Sequence, residues 1–516
     1  MRRILKDFFI YLKIKGHRNL RRTKILKILD IILFCLHSLS NIVTLFFQPA
    51  VGNQYGIVSL GFLSLSGYLR KNGIDSRIVV LVDKDMEDTV EKKICQFRPK
   101  IVCISFHWYI HAYEIVKIAG VVKKTDPNIK VVIGGHSSTY FDKQILDFTS
   151  SIDLIIKGDG EKPLLEYIIS QNPQKVENIS FKKNGEFVSK PVTYHQATLE
   201  NLTGAHENMN EMIDEWDKYI KTKRVRTSAP IASSTIVEEV ETRPSEFYLY
   251  VGKGCGFNCC FCGSSKTGNS RIFNRGVSVY RPVEDVVKDA VLLKNNGVDS
   301  LFIDFGPFSD ESYFLKLFDK LSNLDLNVVY LPWNLPSNDI ISKLSTSFSD
   351  FEIQISPDSG SDRLRKDLCH RGFHREFYSN DLLKKSIDKI AEVGSSRGSQ
   401  LFLWFMCGLP FESEEDYLKT LKLSVSMKKN YPQLFNSAQD QLNCVPLRLT
   451  PGSPIDLWPD KFNMRKLRSS FKDYYEYCKD LISGKIEHPL GLERNDLSEA
   501  EVVKRAVHYK ENILNA

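Results

Sequence analysis

The chain has 516 residues, of which 42% are hydrophobic and 26% charged, with 29 Gly and 20 Pro. That composition excludes collagen-like, low-complexity and disordered chains and, at roughly 150 residues per domain, predicts about three units. The net charge of +7 is concentrated: residues 1–27 hold ten Lys or Arg against one acid, Asp7, and the rest of the chain sums to −2. A nucleic-acid-binding surface is therefore not expected. Eleven cysteines are too dilute for a disulfide scaffold. Four of them crowd into Cys255–Cys262, the pattern of metal binding in a reducing compartment.

Residues 1–50 run from the basic stretch into an apolar segment at 30–47 and are expected to be helical. A bilayer span takes about 20 mostly apolar residues. This run is shorter and is interrupted by His37, Ser38, Ser40 and Asn41. A helix packed on the protein is the first reading, weak membrane contact through a basic amphipathic face the second, and insertion the third.

Residues 51–199 alternate short β-rich runs with helices. A helical period at 56–70 stops at Asn72-Gly73, and strands follow at 76–82, 100–106, 130–135 and 153–161. A helix at 112–124 breaks at Asp126-Pro127. This is the order of an α/β fold with a doubly wound parallel sheet. Its ligand is expected beyond the carboxyl ends of the strands, where Ser105, Gly134-Gly135 and Gly158-Asp159-Gly160 lie.

Residues 200–243 are polar, lack a clean period and read as a linker. From 244 to 450 the alternation restarts, with strands expected at 247–253, 300–306, 326–332, 351–356, 401–408 and 441–447. Helices fill the gaps, among them 282–297 and 413–429. Six such units fit a (β/α)6-type partial TIM barrel whose site lies at the carboxyl ends of its strands. Residues 451–516, charged and mostly helical, are expected to form a small C-terminal cap.

Directly after the first barrel strand, Cys255, Cys259 and Cys262 have the spacing CxxxCxxC. Gly254, Gly256 and Gly263 let that short loop bend three thiolates around one iron–sulfur cubane. Three protein thiolates leave one iron without a protein ligand, and an open position is what a catalytic metal site requires. The competing reading is a zinc knuckle, which needs a fourth ligand. No second cysteine pair or histidine lies near in sequence, and Cys260 is awkwardly placed beside Cys259.

CxxxCxxC at this place resembles the radical S-adenosylmethionine (SAM) superfamily, over residues 245–450. The resemblance implies a [4Fe-4S] cluster whose open iron is chelated by SAM, and cleavage of SAM to a 5′-deoxyadenosyl radical. Phe261 matches the family's apolar residue beside the adenine. Asp304-Phe305-Gly306 stands where the family has its methionine-binding GGE segment, from which it departs. Ser356-Pro357-Asp358-Ser359-Gly360 resembles SPESG, whose polar groups hold the ribose or carboxylate, and Cys407-Gly408-Leu409-Pro410 with Glu412 resembles GLPGET. SAM is accordingly expected at Phe261, Asp304, Gly306, Ser356 and Asp358. Ser356 and Asp358 also read as caps of the following helix.

The stretches 60–74, 104–108, 133–139 and 153–168 resemble the Rossmann-like cobalamin-binding domain found upstream of many such barrels. The resemblance implies hydrogen bonds from Ser105 and Thr139 to the nucleotide tail of cobalamin. It also implies close backbone approach to the corrin at Gly134, Gly135, Gly158 and Gly160, with Glu161 in the same segment. The motif DxHxxG is absent, so no histidine is expected beneath the cobalt, an environment that favours cobalt(I) as a methyl acceptor.

Together the two resemblances imply a cytoplasmic, cobalamin-dependent radical SAM methyltransferase. It would transfer a methyl group from SAM via methylcobalamin to an unactivated carbon, or phosphorus, of a small metabolite or peptide. An external one-electron reductant of flavodoxin or ferredoxin type is the implied partner. The first alternative is a related enzyme that rearranges, cyclises or exchanges atoms without methyl transfer; a remote one is a non-catalytic corrinoid or iron–sulfur binding protein. A methylthiotransferase fits less well, since only Cys35, Cys95 and Cys103 precede the cluster motif. Trp333, Trp404 and the C-terminal cap are expected around the substrate.

Overall fold

The computed structural model describes residues 44–49, 57–82, 85–195, 206, 209–222, 225–227, 240–241, 243, 245–306, 311–394, 400–435, 441–483 and 488–516. The first sheet holds β1 (Thr44–Gln48), β2 (Ser76–Val80), β3 (Ile101–Ser105), β4 (Lys130–Gly134), β5 (Leu154–Ile156), β6 (Ile179–Lys183) and β7 (Glu186–Ser189). Their order is β2-β1-β3-β4-β5-β6-β7. The first five are parallel, and β6 and β7 add an antiparallel edge that the sequence reading did not include. Chain order reverses between β1 and β3, so a ligand crevice opens at their carboxyl ends.

Alternate residues of these strands face two separate layers, as the two-residue strand period requires. Val102, Ile104, Val131 and Ile133 pack with Ile115, Ile118 and Ala119 of α3 (Ala112–Thr125). Cys103, Val132 and Leu154 face Phe62 and Leu63 of α1 (Leu60–Lys71) and Leu164 of α4 (Glu161–Ser170). On the α3 side α2 (Met86–Phe97) buries Val90 and Ile94. α1 begins where the Ser59 hydroxyl accepts the Phe62 N–H at 3.3 Å.

β1 corrects the reading of residues 30–47 as a helix. Thr44–Gln48 is a fully buried strand hydrogen-bonded to β2 on one side and β3 on the other. Strands covered on both faces are continuously apolar, and a short apolar run of that kind has no period to separate it from a helix. The first sheet thus begins before residue 50; residues 1–43 lie outside the described residues. Among the described residues no helix is long and apolar enough to cross a membrane.

The second sheet holds β8 (Glu246–Tyr248), β9 (Ser300–Asp304), β10 (Asn327–Leu331), β11 (Phe351–Asp358), β12 (Gln400–Cys407) and β13 (Leu442–Pro446) in chain order. Every neighbouring pair is parallel, which makes an open six-stranded barrel wall. The strand expected at 247–253 is divided. After β8 the chain leaves the sheet, and Gly252–Lys253 pairs antiparallel with Val279–Tyr280 to form a lip above the barrel. Around the wall run α5 (Lys266–Phe273), α6 (Val283–Asn295), α7 (Asp362–His370) and α8 (Glu414–Asn430).

The segment 200–243 is more than a tether. Met209–Met212 and Trp216–Lys221 are helical, Ile213 bridges to Ile78 of β2, and the buried Trp216 donates its indole N–H to Asn296 O at 2.9 Å. The imidazole of His206 reaches Asp289 at 3.0 Å, and Arg281 holds the same carboxylate at 2.6 Å, all three side chains fully buried.

Nor do residues 451–516 form one cap. α9 (Phe471–Ser483) sets Phe471, Tyr474, Tyr477 and Cys478 into the α3 layer of the first sheet. α10 (Glu499–Asn515) lies on the barrel, where Tyr417 donates to Arg505 O at 2.9 Å. Each helix buries its apolar stripe on a different sheet, so the C-terminal chain ties the two units together.

Candidate active site between the two sheets

The cysteine loop runs from the lip at Gly252–Lys253 to α5. Gly254 has φ +85°, and a Cβ there would stand 2.6 Å from Val277 O; one at Gly263 would stand 2.6 Å from Pro451 O. Only glycine fits either position. Inside the loop the Cys262 N–H bonds Cys259 O at 3.1 Å, and Ser265 caps α5 by accepting the Gly268 N–H. Cys259 is buried, Cys255 and Cys262 half-buried.

Burial raises all three thiol pKa values, to about 12 at Cys255 and Cys259 and about 11 at Cys262. Their mutual repulsion adds to this, while the Arg375 guanidinium favours the thiolate at each. Among the described residues no three Cys, His, Asp or Glu side chains are gathered at metal-ligand distances. Neutral thiols have no mutual attraction, and a cation that replaces their protons supplies it. Cys260 is turned away. It sits in an apolar cluster with Leu364, Leu368, Leu409 and Leu447, its N–H on Phe373 O and its carbonyl on the Ile455 N–H.

At the end of β9, Asp304 accepts the Trp333 indole N–H at 2.8 Å. Gly306 lies so close to Trp333 that a Cβ would stand 2.3 Å from its backbone nitrogen, and Tyr280 donates to Gly306 O at 3.0 Å. The register of β11 against β12 shifts between Ile355 and Asp358, and Asp358 takes φ +63°. Its Oδ2 accepts from His374 Nε2 at 2.9 Å and from Arg375, while Arg375 Nη1 donates to Trp333 O at 3.2 Å. Burial pushes the Asp358 carboxyl up, but Arg375 and His374 outweigh it and hold it below the usual carboxylate range. Asp358 is therefore the keystone of a charged knot and not the helix cap that the sequence also allowed; Ser361 caps α7 instead. Ser356 is half-buried on the same strand. Phe261 packs against the Leu364–Leu368 cluster with its ring 6.3 Å from that of His374.

His374 and Arg375 escaped the sequence reading. The signal was a run of basic and aromatic residues at 370–375 directly after α7.

A cavity of about 370 Å³ joins the two sheets. The first sheet contributes Ser105, Gly134, Gly135, Gly158, Gly160 and Glu161, and the barrel side contributes Cys255, Asp304 and Trp333. Cys259, Cys262, Phe261, Gly306, Ser356, Asp358, Thr139 and Trp404 are not among the residues that line it. Thr139 is used internally: its hydroxyl donates to Gly135 O at 2.8 Å and accepts the Gly158 N–H at 3.3 Å. Gly135, φ +118°, is required by the protein itself, because a Cβ would sit 2.8 Å from Phe106 O.

Charges close the seam. Lys253 Nζ lies 3.3 Å from Asp159 and 3.1 Å from Glu161, and Arg275 pairs with Asp159. Glu161 also accepts the Ser64 hydroxyl at 2.6 Å. On the far side of the loop, His136 Nε2 meets Gly263 O at 3.0 Å.

A soft-donor loop of three cysteines, with Cys260 turned into the core, fits a cluster with one open iron. The strand ends beside it offer backbone and small side chains, Ser105, Gly134, Gly158 and Gly160, as one wall of the cavity, which suits a flat macrocycle. Fold and site thus define an α/β protein in which a thiol-rich loop suited to an iron–sulfur cluster faces a second, glycine-edged sheet across a shared cavity.

The B12 binding domain family matches residues 54–168, and the Radical SAM superfamily matches residues 249–424. The chain thus carries a radical SAM domain with a B12 binding domain ahead of it. It is 25% identical over 278 residues to the anaerobic magnesium-protoporphyrin IX monomethyl ester cyclase of Rubrivivax gelatinosus, 52% of this chain but 44% of that protein. It is 22% identical over 387 residues to the cytidylyl-2-hydroxyethylphosphonate methyltransferase of Streptomyces wedmorensis, 70% of this chain and 67% of that one. Its fold is shared with the radical S-adenosylmethionine methyltransferase TsrM of Kitasatospora setae, TM-score 0.58 at 13% identity, over 84% of this chain and 82% of that one.

Proposed function

We propose that the protein is a cobalamin-dependent radical SAM methyltransferase acting on an unactivated carbon, or phosphorus, of a small metabolite or peptide. The observation that carries this reading is the shared cavity, with Ser105 and Gly134 on one wall and Cys255 and Asp304 on the other. When bound, the [4Fe-4S] cluster, SAM and cobalamin supply electrons, a hydrogen-abstracting radical and a methyl carrier.

The chain's own residues bind and orient. Cys255, Cys259 and Cys262 are the cluster ligands, and Arg375 offsets part of their negative charge. Asp304, aimed by the Trp333 indole, would accept from the amino group of SAM. Phe305 and Trp333, rings 4.7 Å apart, keep water from that end of the cavity. Ser105 and the glycine ends of β4 and β5 would receive the cobalamin, and the cavity that joins the two sheets would hold the substrate near both cofactors.

The test is anaerobic reconstitution with iron, sulfide, cobalamin, a one-electron reductant and methyl-labelled SAM, with candidate substrates. Label in the product supports the reading. Deoxyadenosine formed with an unlabelled, altered product favours a non-methylating cyclisation or rearrangement, the reading that the likeness to a cyclase supports. A reconstituted protein that leaves SAM intact counts against both.

A further inference from the structure

The cysteine loop is held at both ends by the other domain. Lys253, two residues before Cys255, is bound by Asp159 and Glu161 at the carboxyl end of β5. Gly263, one residue after Cys262, is bound by His136. His136 directly follows Gly134-Gly135, the part of the cavity wall built by β4.

The imidazole of His136 is the pivot of this contact. It is 4% exposed and sits where Gly263 and Gly452 both lack side chains; a Cβ would come within 3.1 Å and 3.3 Å of its Cε1. Phe273, at the end of α5, packs edge-on with its ring centroid 5.5 Å away. A backbone carbonyl only accepts, so the contact requires the tautomer with hydrogen on Nε2. The ring therefore joins four pieces of chain: the end of β4, the cysteine loop, the turn at Gly452 and α5.

We propose that His136 is a positioning residue, the strut that fixes the spacing between the thiolate-held centre and the cofactor cavity of the first sheet, with Lys253 as its counterpart at the other end of the loop. The inference rests on the two-cofactor reading above. The apolar contacts that join the two units lie away from the cysteine loop, so polar contacts at the loop itself set its position over the first sheet. Two reaction centres on different domains need their separation fixed, since a displacement of about 1 Å can cost about 100-fold in rate.

The experiment uses the full-length protein reconstituted with iron, sulfide and cobalamin. Wild type, His136→Leu, His136→Gln and Lys253→Met are compared by iron and cobalamin content. Electron paramagnetic resonance then measures the spin–spin interaction between the reduced cluster and cob(II)alamin. The expected result is both cofactors at wild-type content in all four, a weakened or broadened interaction in His136→Leu and Lys253→Met, and recovery in His136→Gln, whose amide N–H can reach Gly263 O.

An unchanged interaction in His136→Leu overturns the proposal. So does an equal loss in the Leu and Gln variants, which would mean that ring packing and not the hydrogen bond matters. Loss of iron or cobalamin from His136→Leu and His136→Gln alike also overturns it, in favour of a folding role. A wild-type protein that takes up neither cofactor sinks the two-cofactor reading itself, a result separate from any difference among variants.

Discussion

His374 Nε2 lies 2.9 Å from Asp358 Oδ2, and through that contact the chain leaving α7 is bound to the bulged end of β11. Arg375 completes the knot by holding Asp358 and the Trp333 carbonyl together. A carboxylate buried against a guanidinium and an imidazole is costly to leave alone.

Asp358→Asn is expected to destabilise the protein by about 3–5 kcal/mol, the cost of stranding Arg375. Urea unfolding of Asp358→Asn, Arg375→Met and the double variant checks it, with the double less destabilised than the sum of the singles. The folded pKa of Asp358 lies below its ordinary 3.8. Its contribution is therefore complete above about pH 4 and is lost as pH falls through the lower folded value.

Iron content separates the four crowded cysteines. Ala at 255, 259 or 262 is expected to remove most of the iron from the reconstituted protein. Cys260→Ala keeps it, and pays instead in core packing, about 1 kcal/mol for the lost sulfur volume. Retention of full iron by any of the first three, or its loss from Cys260→Ala, contradicts the loop geometry described above.

Acid stability should fall on a histidine slope. Burial lowers His111 from 6.5 to about 4, and burial together with His136 and His111 lowers His107 to about 3. Between these values and 6.5 the unfolded chain takes up protons that the native protein refuses, so stability is full above pH 6.5 and declines as pH drops. His111→Phe is expected to lose about 2 kcal/mol less than wild type between pH 7 and pH 5, read from urea midpoints.

Gly306→Ala tests the approach of β9 to the Trp333 segment. The added Cβ would meet backbone N and Cα of Trp333, atoms that cannot swing aside. A cost of about 1–3 kcal/mol and a changed tryptophan emission are expected as the indole leaves Asp304. An unaltered emission spectrum in a fully stable variant would show that the contact is not held in solution.

Much of the architecture was legible because it is local. The parallel strands from residue 76 onward, apart from β5 and β8, match the expected runs to within two residues at either end. The helix beginning at Glu414 announces itself through a capping box, Ser413 with Asp416. β1 was not legible, since Thr44–Gln48 has no alternation to betray a strand covered on both faces. The antiparallel pair β6 and β7 was missed because Lys182, Lys183 and Glu186 make it look like surface loop.

By itself the sequence determined the two α/β units, the thiol trio with its glycines, and the glycine-rich strand ends, all properties of residues near one another along the chain. Only the tertiary structure decided that Cys260 faces the core, that Asp358 is bound by His374 and Arg375, and that the cysteine loop hangs between Glu161 and His136. His136 and Gly263 are 127 residues apart, and Lys253 and Glu161 are 92 apart. No periodicity spans such a gap: these partners are chosen by how two sheets dock, and a hydrogen bond between them exists only once both have folded.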